Sequence, residues 1–158
     1  MAEFREISNE QLTEIIDQHS LWLESGGRQS ERANFQFADL HGRDLVGANL
    51  YCADFQHANL RETNLQDTNF KEANLQEADL FGASLHKANL LQTSLKNANL
   101  SKSNLQNSIL SYSNLSGANR QRADLREANL QEADMRNARL QGIMCLSADF
   151  KKSWRATR

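Results

Sequence analysis

ANLQEADLFGASLHKANLLQTSLKNANLSKSNLQN, residues 73–107, repeats every five residues: a small residue, an Asn or Asp, a Leu, then two variable positions. The same register extends from Ala33 to Phe150 without insertion or deletion, which makes 24 units. The third position is Leu or Phe in 21 of them, the exceptions being Arg120, Met135 and Cys145. The first is Ala, Ser or Thr in 22, with Arg43 and Ile143 departing, and the second is Asn or Asp in 19. Agreement of this order decides the fold before local propensity is consulted, because a fixed period means stacked copies of one unit.

A period of five matches neither the 3.6 of a helix nor the 2 of a strand. A chain that turns about 90° after each unit does present every leucine to one side. Four units then close a square coil of 20 residues, with Leu or Phe inward, the small residue beside it and the rest facing water. Coils stack at roughly 4.8 Å, so about six of them make a rod roughly 28 Å long. Taking every twentieth residue gives the predicted core columns: Phe35, Phe55, Leu75 in one, Leu40 and Leu100 in a second, Leu125 in a third. Proline is absent from all 158 residues, as suits a backbone whose amides are all needed as donors.

This A-[N/D]-[L/F]-x-x register resembles the pentapeptide repeat family, many of whose members are cyanobacterial. The resemblance implies an all-β solenoid, a right-handed quadrilateral β-helix. For function the resemblance is nearly mute, because most members have no established activity. Some members mimic duplex DNA, bind DNA gyrase in its place and protect it from quinolones. A cyanobacterial regulatory role, as in heterocyst differentiation, is implied by analogy alone.

Three segments are expected: residues 1–32 as a helical N-terminal cap, 33–150 as the β-helix and 151–158 as a short basic tail. Solenoids need caps because a bare end exposes apolar interior and unpaired strand edge. Ser8 with Gln11 forms a capping box, Ile7 with Leu12 a hydrophobic staple, and Gly26–Gly27 a stop. Leu12, Ile15, Ile16, His19, Trp22 and Leu23 share one helical face, predicted to lie over the Phe35 coil. His19, alone on an apolar face, is expected to be a packed residue. At the far end Trp154 is expected to fold over the last coil.

Arg120 stands in an interior column between Leu100 and Leu140. An unpaired buried cation is costly, so the expectation is a local bulge that lets the side chain escape to water. The alternatives keep it inside, bonded to carbonyls or water, or join it to Arg122, Arg126, Arg136 and Arg139 in a binding site. Met135, Arg139, Ile143, Met144 and Cys145 also break the pattern, which reads as decay of the repeat toward its end.

The net charge of −2 argues against binding nucleic acid through bulk charge. No secretory leader or spanning segment is apparent, so a cytoplasmic, membrane-free protein is expected. Cys52 and Cys145 lie four coils apart and cannot pair. His41, His57 and His86 fall on different parts of the rod, no metal spacing occurs, and a filled interior leaves no pocket for a small-molecule substrate. No cofactor is expected. Duplex mimicry needs columns of carboxylates, whereas Glu62, Asp67, Glu72 and Glu77 fall one per face, diluted by Arg61 and Lys71. The favoured expectation is a monomeric, non-enzymatic module that meets a protein partner, with gyrase binding as the alternative. The candidate contacts are Phe81, Leu91, Tyr112, Arg122 and Arg126, with Phe81 and Leu91 expected near one another across a corner.

Overall fold

In a computed structural model, which describes residues 4–153, the period of five becomes a ladder with a step of twenty. Parallel bridges join Asn34 to Asp54, Asp39 to Asn59, Asp44 to Asn64 and Asn49 to Asn69, and the series continues to Asn129 and Asp149. Each bridge involves one residue per side, the second of its unit, so the chain never runs straight long enough to form an ordinary strand.

Every amide in a unit has its own destination. In the unit Ala58–Glu62, Asn59 donates back to Ala38 O (2.9 Å), while Leu60 and Glu62 donate forward to Asp79 O and Phe81 O (2.8 and 2.9 Å). The next unit's first amide, that of Thr63, closes a turn onto Leu60 O. That leaves the fourth residue, Arg61, whose amide donates to the Oδ1 of Asn59 (3.3 Å). The Asn or Asp preference at position two is therefore an Asx turn that feeds the one amide the ladder cannot reach. The same contact recurs from Gln36–Asn34 to Lys151–Asp149.

The turn also fixes the fifth residue in the left-handed region. Glu62, Glu77, Lys102, Tyr112 and Arg122 all have φ between 57° and 59°. A side chain there costs about 1–2 kcal/mol relative to the right-handed form. The cooperative ladder holds that strain at nearly every corner, and glycine relieves it only at places such as Gly82.

Third-position side chains fill the interior. Phe35, Leu40, Phe55, Leu75, Leu100 and Leu125 are fully buried, and Phe35 stacks on Phe55 with centroids 4.7 Å apart. The small first residues share that interior. Where they carry a hydroxyl it is satisfied, as Thr63 Oγ1 donates to Leu40 O (3.0 Å) and Ser103 Oγ to Leu100 O (2.7 Å).

Ahead of the ladder, strand β1 (Arg5–Glu6) pairs in parallel with β2 (Ala38–Asp39). Helix α1 (Asn9–Glu24) begins at the Ser8–Gln11 capping box, with both reciprocal hydrogen bonds made. Ile7 and Leu12 are buried with the core, and Ile15 and Ile16 pack against it; Trp22 and Leu23 are half-buried. His19 is fully buried. Its Nδ1 accepts from the Ala33 amide (3.2 Å), its ring stacks on Trp22, and burial pushes its pKa down from the usual histidine value. At the other end, Leu140, Cys145 and Phe150 all reach solvent. Trp154 lies outside the described residues.

Arg120 does not escape to water. No bulge forms: its amide keeps the ladder bond to Arg139 O (3.0 Å), and its side chain is 0% exposed. An unbroken ladder fixes the inward direction of the Cα–Cβ bond, so the guanidinium stays inside with its chain.

Candidate interaction surface

Chemistry outside the filled core rests on positions two, four and five of each unit. Down the side that begins at Ala38, positions four and five read His41–Gly42, Arg61–Glu62, Phe81–Gly82, Ser101–Lys102, Gln121–Arg122 and Gln141–Gly142. Its lower half forms an open groove of about 490 Å3 lined by Phe81, Ser101, Lys102, Gln121, Arg122, Gln141 and Gly142. Above it, the Arg61 guanidinium lies 4.4 Å from the centre of the Phe81 ring, and Lys102 Nζ sits 5.0 Å from the same centre. Arg61 is held by Asp79 (3.0 Å). Among the described residues neither Lys102 nor Arg122 has a carboxylate within salt-bridge distance, and the groove lining contains none.

The predicted contacts divide accordingly. Phe81 and Arg122 share the groove. Leu91 does not approach Phe81: ten residues are half a coil in a twenty-residue ladder, so the two stand on opposite sides of the rod. Tyr112 lies on the same side as Leu91, 57% exposed, with its hydroxyl 3.4 Å from Glu132. Arg126 is engaged: its Nε and Nη2 grip Asp124 (2.9 and 2.6 Å), which also accepts from Gln106. The Arg126 hydrogen bond is the main reason the Asp124 carboxyl sits below its usual pKa. Arg136 treats Asp134 in the same way. These pairs, with Arg120 enclosed in the core, leave no arginine cluster joining Arg120 to Arg122, Arg126, Arg136 and Arg139.

Lys102, Ser101, Gln121 and Gln141 were not among the predicted contacts. At steps of twenty the fourth- and fifth-position columns bring all of them to one side of the rod.

The acidic belt is dispersed. Glu72 accepts from Tyr51 Oη (3.0 Å) and meets Lys71 (3.4 Å), while Glu77 faces His57 (3.4 Å). No column places carboxylates on two successive coils. Among the described residues no group of three His, Cys, Asp or Glu is placed to hold a metal, and no helix is long and apolar enough to cross a membrane.

The family described as pentapeptide repeats matches in eight copies, over residues 31–67, 48–86, 73–111 and 110–142. No curated protein matches significantly. Among solved structures, the chain is 34% identical to HetL, a pentapeptide repeat protein involved in heterocyst differentiation regulation from Nostoc sp. strain PCC 7120, at a TM-score of 0.47. That alignment covers 77% of this chain and 61% of HetL, so the chain spans less than two thirds of that relative. It is 32% identical to AT2G44920 from the Arabidopsis thaliana thylakoid lumen, over 60% of this chain and 69% of that one, at a TM-score of 0.49. QnrB1, a plasmid-mediated fluoroquinolone resistance protein, shares 22% identity over 72% of this chain and 78% of its own, at a TM-score of 0.30.

Proposed function

The chain belongs to the pentapeptide repeat family, and we propose that it is a rigid, non-enzymatic protein-interaction module whose docking face is the Phe81–Lys102–Arg122 groove. One observation carries this reading: among the described residues the groove offers two cations without carboxylate partners beside an aromatic ring, on a backbone that the ladder holds fixed. Charge complementarity then selects an anionic segment of a partner protein, and a preformed face limits the ordering cost of binding.

In the same reading the units close as a right-handed, four-sided helix of six coils over residues 33–150, with 1–32 as its cap and 151–158 as a tail. The twenty-residue bridges and the burial of Ile7, Leu12 and His19 support that division. The protein works as a cytoplasmic monomer. Phe81 and Arg122 make the principal contacts, while Leu91 and Tyr112 on the opposite side of the rod and Arg126, held by Asp124, take no part.

The test is fluorescence anisotropy of a labelled glutamate-rich peptide titrated with the protein and with the double variant Lys102→Glu/Arg122→Glu. Saturable binding by the natural protein, weakened at least tenfold in the variant, is expected. Equal binding by both overturns the reading. A parallel gyrase supercoiling assay decides the alternative: inhibition, or protection from a quinolone, replaces this proposal with duplex mimicry.

A further inference from the structure

Arg126 and Arg136 each present the Nε/Nη2 edge of the guanidinium to a carboxylate. Arg120 has the same edge, but in the core. Its Nη1 touches the Met135 sulfur (3.2 Å), a weak acceptor, while Nε and Nη2 have no partner. In its own coil Leu115, Leu125 and Leu130 are the other third-position side chains, and the buried hydroxyl of Ser113 donates to Leu110 O; among the described residues no carboxylate faces inward there. Asp124, the one buried carboxylate among the described residues, is turned outward and taken by Arg126 and Gln106.

Two adjacent donors on a planar, charged edge are a fork suited to a bidentate or spherical monoanion. The fork is enclosed, and the coil next to it on the C-terminal side is the less covered of its two neighbours. Nη1 reaches toward the coil of Met135, where Leu140 is 36% exposed against 0% for Leu100 on the opposite side of Arg120. Cys145, smaller than the leucine found at that position in the coils above it, also reaches solvent. The coil that Nη1 meets is thus less enclosed than the coil on the other side of Arg120.

We propose that Arg120 is the anchor of a small-anion site inside the rod, in which Nε and Nη2 hold a monovalent anion of formate, nitrate or chloride size. Burial pushes the guanidinium pKa down only to about 10, so it is charged at neutral pH and supplies the counter-charge. The anion converts an enclosed, uncompensated charge into a hydrogen-bonded pair, and it binds the folded chain alone.

The experiment is thermal unfolding of the full chain at pH 7 in rising sodium formate, nitrate or chloride, beside Arg120→Leu in the same series. General salt effects act on both proteins and cancel in the difference. The natural protein is expected to gain about 5 °C over the variant at a hundredfold excess over Kd, through ligand linkage. Midpoints that move in parallel overturn the proposal. Should the variant not fold, anomalous diffraction from crystals of the natural protein grown in sodium bromide decides instead. A bromide peak within hydrogen-bond distance of Arg120 Nε and Nη2 supports the site, and none there overturns it.

Discussion

The two ends of the ladder are built from the same unit and behave differently. In the first coil Phe35, Leu40 and Leu50 are fully buried and Leu45 nearly so, because Ile7 and Leu12 are packed into the same core and β1 hydrogen-bonds to the strand edge. In the coil of Met135 to Phe150, Leu140 is 36% exposed and Cys145 and Phe150 reach solvent; among the described residues nothing covers them. The difference teaches that the repeat supplies only lateral order. A leucine in this register is buried only when another layer lies on each side of it, and at the first coil the N-terminal segment provides that layer.

Paired truncations test the contrast most directly. Phe35→Ala should cost about 3–5 kcal/mol, as expected for an enclosed aromatic, and Phe150→Ala about 1 kcal/mol, both read from urea unfolding. Equal losses would mean that both ends are sealed in solution. Next in size is Arg120→Leu, which replaces a lone enclosed cation by the residue its column otherwise uses. In low-salt buffer it should raise stability by about 2 kcal/mol; a destabilised variant would show that the cation is compensated even there.

The covered end should also be the acid-sensitive one. Burial holds the His19 pKa below 6.5, its value in an unfolded chain, and Nδ1 must stay unprotonated to accept the Ala33 amide. The unfolded chain therefore takes up the proton first as pH falls. Stability is full above about pH 6.5 and declines below it, until the folded histidine also titrates. Unfolding midpoints between pH 7.5 and 5 should fall for the natural protein and fall less for His19→Gln. Asp124 and Asp134, lowered by Arg126 and Arg136, act only in a more acidic window, below the ordinary carboxylate range. The smallest effect concerns Met144, which occupies a second position where an Asn would accept the Leu146 amide. Met144→Asn should restore the Asx turn and add about 0.5–1 kcal/mol in the same urea assay.

The fold was nearly all legible because a period of five admits few geometries, and the Leu/Phe columns at steps of twenty are buried as expected, except in the last coil. The purpose of Asn and Asp at position two was visible only as a preference. It takes the hydrogen-bond accounting of one unit to show that the fourth amide depends on that side chain. Arg120 departs from expectation because turning its side chain out to water would break the ladder on both sides of it, and the intact ladder prevails over the cost of enclosing the charge. The groove was half-visible: Phe81 and Arg122 stood out as exposed letters, whereas Lys102 and Gln121 gain meaning only from what stands one coil away. Pairing Phe81 with Leu91 failed for the same reason, since nearness along the chain was taken for nearness in space.

The bridges advance by five residues along the chain and by twenty between coils, and this arithmetic has an evolutionary consequence. Gain or loss of a single unit leaves most core contacts as one Leu or Phe on another, yet it rotates all downstream side chains by one side of the rod relative to α1. Lineages can thus re-aim a whole binding face, or bring two remote columns into line, through one short duplication that folding tolerates. In such a molecule the count of units is itself a heritable coordinate, and it can change without any substitution at the surface it moves.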